Sequence, residues 1–318
     1  MSIDEIEQYI KKLQDITDKV FMSFFGFYEI IRRLCINKND KTINTILGNL
    51  FSSIDNNVYN ILDDLTFISS DIIYDSYFEK ILGTSAANGI LLISNSLLFG
   101  FLLYYSIKYL LAHFTYKAVE NPMQFFFKAI IFGICINFSY FFIEQLLNLF
   151  SNITLAIRGI GEDLFNKNIC FAELILEIND TISINTSSLD VFSLDGLIKA
   201  SITMSLLNLV FTYSFRYVMI KVFILLTPFA ILSLILDSTS WFFKSWLRNV
   251  FSLLFIQIIV GIVLLILFSI DYSSNNLMTK FIYIGAIYAL IKSNSFVRDF
   301  IGGVSTTFTQ NVENLLKK

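Results

Sequence analysis

The sequence predicts an all-α polytopic membrane protein with about five transmembrane helices, or six in the alternative count. Amphipathic helices precede the first span and an amphipathic helix follows the last. Three observations predict this. Hydrophobic residues make up 55% of the chain and charged residues 15%, where soluble domains carry about 25% charge. Mean hydropathy is +0.66. Residues 216–265 form two apolar runs joined by a polar connection, 237–249, that holds Trp241, Lys244, Trp246 and Arg248. Each run is about long enough to cross a hydrocarbon core of about 30 Å. The connection has the basic and aromatic character of a cytoplasmic membrane boundary, with Trp241 and Trp246 as expected interfacial anchors.

In chain order, residues 1–87 read as an amphipathic helical region. Ile3, Ile6, Ile10, Leu13, Ile16, Val20, Phe24, Phe27, Ile31 and Leu34 recur in steps of three and four, and a second stripe runs from Ile43 to Ile68. That period describes helices with one apolar face. Such helices can lie on the membrane, pack on each other or dock on a partner. The opening residues are acidic, so they do not read as a signal peptide. The first two spans fall within 88–150, at 88–111 and 125–150. Residues 151–195 read as an acidic loop, with Glu162, Asp163, Glu173, Glu177, Asp180, Asp190 and Asp195 against Arg158 and Lys167, and its expected side is extracytoplasmic. The remaining spans occupy 196–295, at 197–236, 250–270 and 277–291, and 296–318 is an amphipathic tail.

The region 197–236 decides the count. As one helix it would measure about 60 Å, twice the core, and would project from the membrane. As two spans it would turn near Ser214 to Arg216. One crossing leaves Lys108, Lys117, Lys128, Lys244, Arg248, Lys292 and Arg298 at inside boundaries, against Lys80, Arg158, Lys167 and Lys280 outside. The positive-inside rule therefore favours five spans.

The residues indicate no catalytic site, no cofactor site and no metal site. His113 is the only histidine, at a predicted membrane boundary. Cys35, Cys135 and Cys170 are too scattered for a metal site. No phosphate-binding loop and no GxSxG elbow occur, and Gly159, Gly161, Gly302 and Gly303 read as turns or helix flexure. A net charge of −3 without a basic block gives no nucleic-acid arm. The 34 Phe follow a compositional bias and carry no functional weight. What remains are intramembrane polar residues, the default functional candidates in a bilayer: Arg216, Lys221, Glu144, Asn137 and Asn208. Arg216 and Lys221 are five residues apart, roughly 140° on a helix, so they do not share a face. These residues either line a polar path or bond between helices and snorkel to an interface. Pro228, preceded by Thr227, is expected to kink its helix.

The order of features resembles the TrbL-type conjugal transfer proteins, polytopic membrane subunits of type IV secretion systems. The resemblance is carried by Arg216 to Ala230, with its Pro-x-Ala core, by Thr239-Ser240-Trp241-Phe242-Phe243-Lys244-Ser245-Trp246, and by Gln257 in the following span. Glu120-Asn121-Pro122 and the amphipathic N-terminal region also fit, so the likeness covers roughly residues 40–295. It implies a non-catalytic channel or platform subunit of the bacterial cytoplasmic membrane, assembled in several copies. The implied partners are other secretion-system membrane subunits and separate ATPases, with transient contact to translocated DNA or protein. The alternatives are a stand-alone transporter or channel, and a membrane scaffold.

Overall fold

The computed structural model describes residues 61–83, 89–115, 121–182, 194–270 and 277–301. Nearly all of them belong to one unit, Ile54–Ser183 with Ile198–Lys318, and only that unit is described below. The chain is an all-α polytopic membrane protein. Its helices are α1 (Ser76–Leu82), α2 (Ile90–Thr115), α3 (Pro122–Asn137), α4 (Ser139–Phe165), α5 (Phe171–Ile182), α6 (Leu194–Leu232), α7 (Ser240–Phe268) and α8 (Leu277–Ile301). Residues 61–66 are also helical, and a 3-10 turn covers Ser70–Ile73. The expected stripes in residues 1–60 and the tail beyond 301 lie outside the described residues.

Among the described residues, α2, α4, α6 from Ala200, and α7 are long and apolar enough to cross a membrane. The difference from five comes from 277–291, while 125–150 still supplies one span, α4. The predicted span 125–150 is divided at Phe138 (φ −91°, ψ 5°) into α3, too short to cross, and α4. The break follows Asn137, whose amide donates back to the Gly133 carbonyl at 2.8 Å and so competes for a helix acceptor. The predicted span 277–291 lies in α8, where Lys280 and Lys292 confine the apolar stretch to 281–291, about 16 Å. The region 197–236 contains no turn near Ser214; α6 runs unbroken as far as Leu232. Within 151–195, residues up to Phe165 continue α4 and 171–182 form α5.

Local chemistry explains the boundaries. Asn121 caps α3 by accepting the Met123 N–H at 3.1 Å, with Pro122 in the first turn, where its missing N–H costs nothing. Helix α1 ends at Gly83 in the left-handed region (φ 83°), and an added Cβ at Gly89 would lie 2.4 Å from the Gly83 Cα. Only glycine permits that approach.

Helix α7 is the most apolar of the four long helices and the most enclosed, with Trp241, Ile262 and Ile266 left exposed. It packs against α4 and α8, and it runs antiparallel to α6. Phe223 meets Trp246; seven residues earlier on α6 and seven later on α7, Arg216 meets Leu253. Helix α4 buries Ile143, Leu147, Phe150 and Thr154, with Phe150 edge-on to Phe251 of α7 at 5.6 Å. Tyr213 of α6 donates to the Leu290 carbonyl of α8 at 3.2 Å. The α2–α3 hairpin is peripheral. Tyr105 stacks on Phe125 at 3.7 Å and the pair packs against Ile231 and Leu232 at the end of α6.

Candidate functional site

The residues of the central site come from three distant parts of the chain. Arg216 is fully buried midway along the apolar part of α6. Its Nε donates to the Leu253 carbonyl at 2.8 Å and its Nη1 to the Thr66 carbonyl at 2.8 Å. One turn beyond Leu253, Gln257 is also fully buried, and its Oε1 accepts the Ile68 N–H at 3.2 Å. Both side chains therefore serve one stretch of backbone. Residues 61–66 are helical and the 3-10 turn starts at Ser70; between them Thr66 offers a carbonyl and Ile68 an N–H with no helical partner. In an apolar interior such groups cost several kcal/mol each when unpaired. A guanidinium fork and an amide supply the missing donor and acceptor. Among the described residues, Arg216 Nη2 and Gln257 Nε2 have no hydrogen-bond partner. No ion pair among the described residues involves Arg216.

The flanks of the same segment are fastened separately. Lys221 bonds Asp75 at 3.1 Å and lies over the rings of Phe78 and Tyr217 at 5.1 and 5.2 Å. Asp75 also caps α1, accepting the Tyr77 N–H at 3.3 Å. The Lys221 hydrogen bond, helped by that N–H, holds the Asp75 carboxyl below the usual carboxylate range. Tyr74 donates its hydroxyl to Glu144 at 2.7 Å. Asp63 accepts the N–H groups of Phe171 and Ala172 at 3.0 and 3.3 Å, a cap on α5 delivered from another part of the chain. Burial pushes the Asp63 carboxyl up, and those two N–H groups oppose the rise. Arg158 covers the Phe67 ring at 4.7 Å.

Residues 61–83 are thus a broken segment, with one buried apolar face, held by the long helices. Leu62, Thr66, Ile68, Ile72, Ile73, Phe78 and Leu82 are all buried. Irregular backbone at such a place is tolerated because protein encloses it. Arg216 and Lys221 point to different faces of α6, as their spacing predicts, and both reach this segment, at Thr66 and at Asp75.

The other expected residues fall elsewhere. Asn137 pairs with Asn95 of α2 at 3.2 Å, far along the chain from Arg216. Asn208 is half-buried on α6, its carbonyl accepting the Thr212 hydroxyl at 2.8 Å. Pro228 lies inside α6, which continues to Leu232. The Thr227 hydroxyl and the Trp246 indole N–H both donate to the Phe223 carbonyl, at 3.1 and 2.9 Å. Trp241 is exposed. Trp246 is not an interfacial anchor: it is 2% exposed, and its indole is committed to the turn before Pro228. Between α4, α6 and α7 the interior leaves a void of only about 10 Å³ lined by apolar side chains. The expected polar residues do not line a shared lumen among the described residues.

Sequence reasoning missed Thr66, Ile68, Asp63, Asp75 and Tyr74. The polar run Ser69-Ser70-Asp71 just after the second stripe is the one local sign of a break there. No group of three or more His, Cys, Asp or Glu that could hold a metal occurs among the described residues. No family model, curated protein or solved structure matches the chain.

Proposed function

We propose that the protein is a non-catalytic platform or channel subunit of a type IV secretion machine in a bacterial cytoplasmic membrane, resembling the TrbL-type conjugal transfer proteins. One observation carries this reading. The three stretches on which the resemblance rests meet in space. Arg216 from the first bonds the α7 turn that holds Gln257 from the third, and Trp246 from the second bonds Phe223 of the first. A likeness made of scattered apolar motifs thus coincides with one buried hydrogen-bonded unit. The absence of a phosphate-binding loop from the sequence fits a subunit driven by separate ATPases. A stand-alone carrier calls for polar breaks around a midplane site; here the polar groups near the break serve the protein's own backbone. Substrate would therefore pass between copies or between this chain and partners.

Cross-linking in native membranes, followed by affinity purification and mass spectrometry, tests this. A secretion ATPase, a coupling protein or conjugation membrane subunits are expected among the captured proteins. Recovery of the chain alone would sink the secretion reading. In the same cells, replacing Arg216 by an apolar residue is expected to impair transfer more than replacing Lys280.

A further inference from the structure

The apolar part of α4 runs over 139–157, ahead of Arg158, Glu162 and Asp163, and measures about 28 Å, the depth of a hydrocarbon core. Its buried face is the Ile143, Leu147, Phe150 and Thr154 row. The opposite face carries amides. Gln145 and Asn152 are exposed and Asn148 is half-buried. Their side chains make no hydrogen bond with the described residues. Beyond them Ala156 is exposed, and a Cβ added at Gly159 would meet nothing within 4 Å. Gln145, Asn152 and Gly159 are each seven residues apart.

Amides left bare to lipid are costly, and between helices they act as adhesive. The serines of α2 escape that cost by bonding their own helix: Ser96 to the Leu92 carbonyl at 2.9 Å and Ser106 to the Leu102 carbonyl at 2.9 Å. The α4 amides do not.

We propose that this face of α4 is where two copies of the chain pair within the membrane, parallel about a two-fold axis, with Gln145 against Gln145 and Asn152 against Asn152. The chemistry selects a second copy. An amide is donor and acceptor at once, so the stripe is its own complement. The stripe carries no charge within the apolar part, so a copy is not repelled and an ionic partner finds no counter-charge; neighbouring Glu144 is taken by Tyr74. A seven-residue repeat keeps the stripe facing a parallel neighbour. Ala156 and Gly159 let the two backbones approach. All copies insert with the same orientation, so the axis lies along the membrane normal and like residues meet. The inference deepens the platform reading, which already calls for several copies.

Single cysteines test it, in a full-length chain with Cys35, Cys135 and Cys170 replaced by Ala. On oxidation in native membranes, Gln145→Cys and Asn152→Cys should give disulfide-linked dimers several-fold more abundant than Leu103→Cys, a lipid-facing control on α2. Dimers no more abundant than the control would overturn the proposal. So would a disulfide from position 152 to another protein. The double variant Gln145→Leu/Asn152→Leu should weaken pairing, read by energy transfer in vesicles, about threefold for each amide bond lost, with membrane abundance unchanged. Undiminished pairing in that variant would also overturn it. A position-152 dimer in membranes that yield no secretion partner would support the interface and count against the platform reading; co-purifying ATPase without the dimer would do the reverse.

Discussion

Helices α2 and α7 are both long, apolar and able to span a bilayer, yet 61% of the most apolar stretch of α7 is enclosed by protein and 11% of that of α2. Their polar groups differ in the same sense. In α2, Ser94, Ser96, Ser106 and Thr115 each bond the carbonyl four residues back. In α7, Gln257 and Trp246 bond residues of other elements, and the Leu253 carbonyl accepts from Arg216. The hydroxyls of the lipid-facing helix serve that helix, with Asn95 reaching only to Asn137 of the adjoining α3; the enclosed helix serves its neighbours. Hydropathy measures neither, because lipid tails and leucine side chains are equally apolar.

Substitutions in the two helices should differ in cost. The largest effect is expected for Arg216→Ala. It leaves the Thr66 carbonyl unpaired and opens a cavity between α6 and α7, so about 3–5 kcal/mol of stability should be lost, measured as unfolding in detergent micelles. Gln257→Leu strands the Ile68 N–H and should cost about 1–3 kcal/mol. Because both side chains hold one segment, the double variant should lose less than the two single losses together. Trp246→Phe removes one indole bond and should cost about 1 kcal/mol. On the periphery Asn95→Ala should cost about 0.6 kcal/mol, and Ser106→Ala should fall within about 0.5 kcal/mol of zero. Equal losses at Gln257 and Ser106 would erase the distinction between the two helices.

The pH response of the Lys221–Asp75 pair is the smallest effect. Lys221 depresses the Asp75 carboxyl in the folded chain, so its contribution is present above the usual carboxylate range. It is lost as pH falls through that range, below about pH 4. Protease protection of residues 70–83 should be constant from about pH 5 to 8 and weaken only under stronger acid.

Much of this fold was legible in the residues. The apolar runs gave the long helices, and the spacing of Arg216 and Lys221 gave their divergence. Three things were hidden, each for a physical reason. The division at Phe138 lies inside an uninterrupted apolar run, and only the back-bonding Asn137 amide marks it. The partners of Arg216 are backbone carbonyls, which every residue carries, so no side-chain pattern announces them. Trp246 sits in a basic, aromatic sequence that reads as a membrane boundary, while the helix buries it toward Phe223. The site was therefore half legible: its polar side chains were visible and the backbone groups they serve were not.

The insertion of residues 61–83 among later helices also sets an order of events during synthesis. Thr66 waits for a donor 150 residues further on, and Ile68 for an acceptor 189 residues further on. At about 5–20 residues per second, Gln257 is made roughly 10–40 s after Ile68. Through that interval the Thr66 carbonyl and Ile68 N–H need water or a chaperone surface as partner, since lipid offers neither donor nor acceptor. A segment among the first to be translated is thus among the last to settle, and a ribosome stalled before α7 would release a chain that cannot close around it.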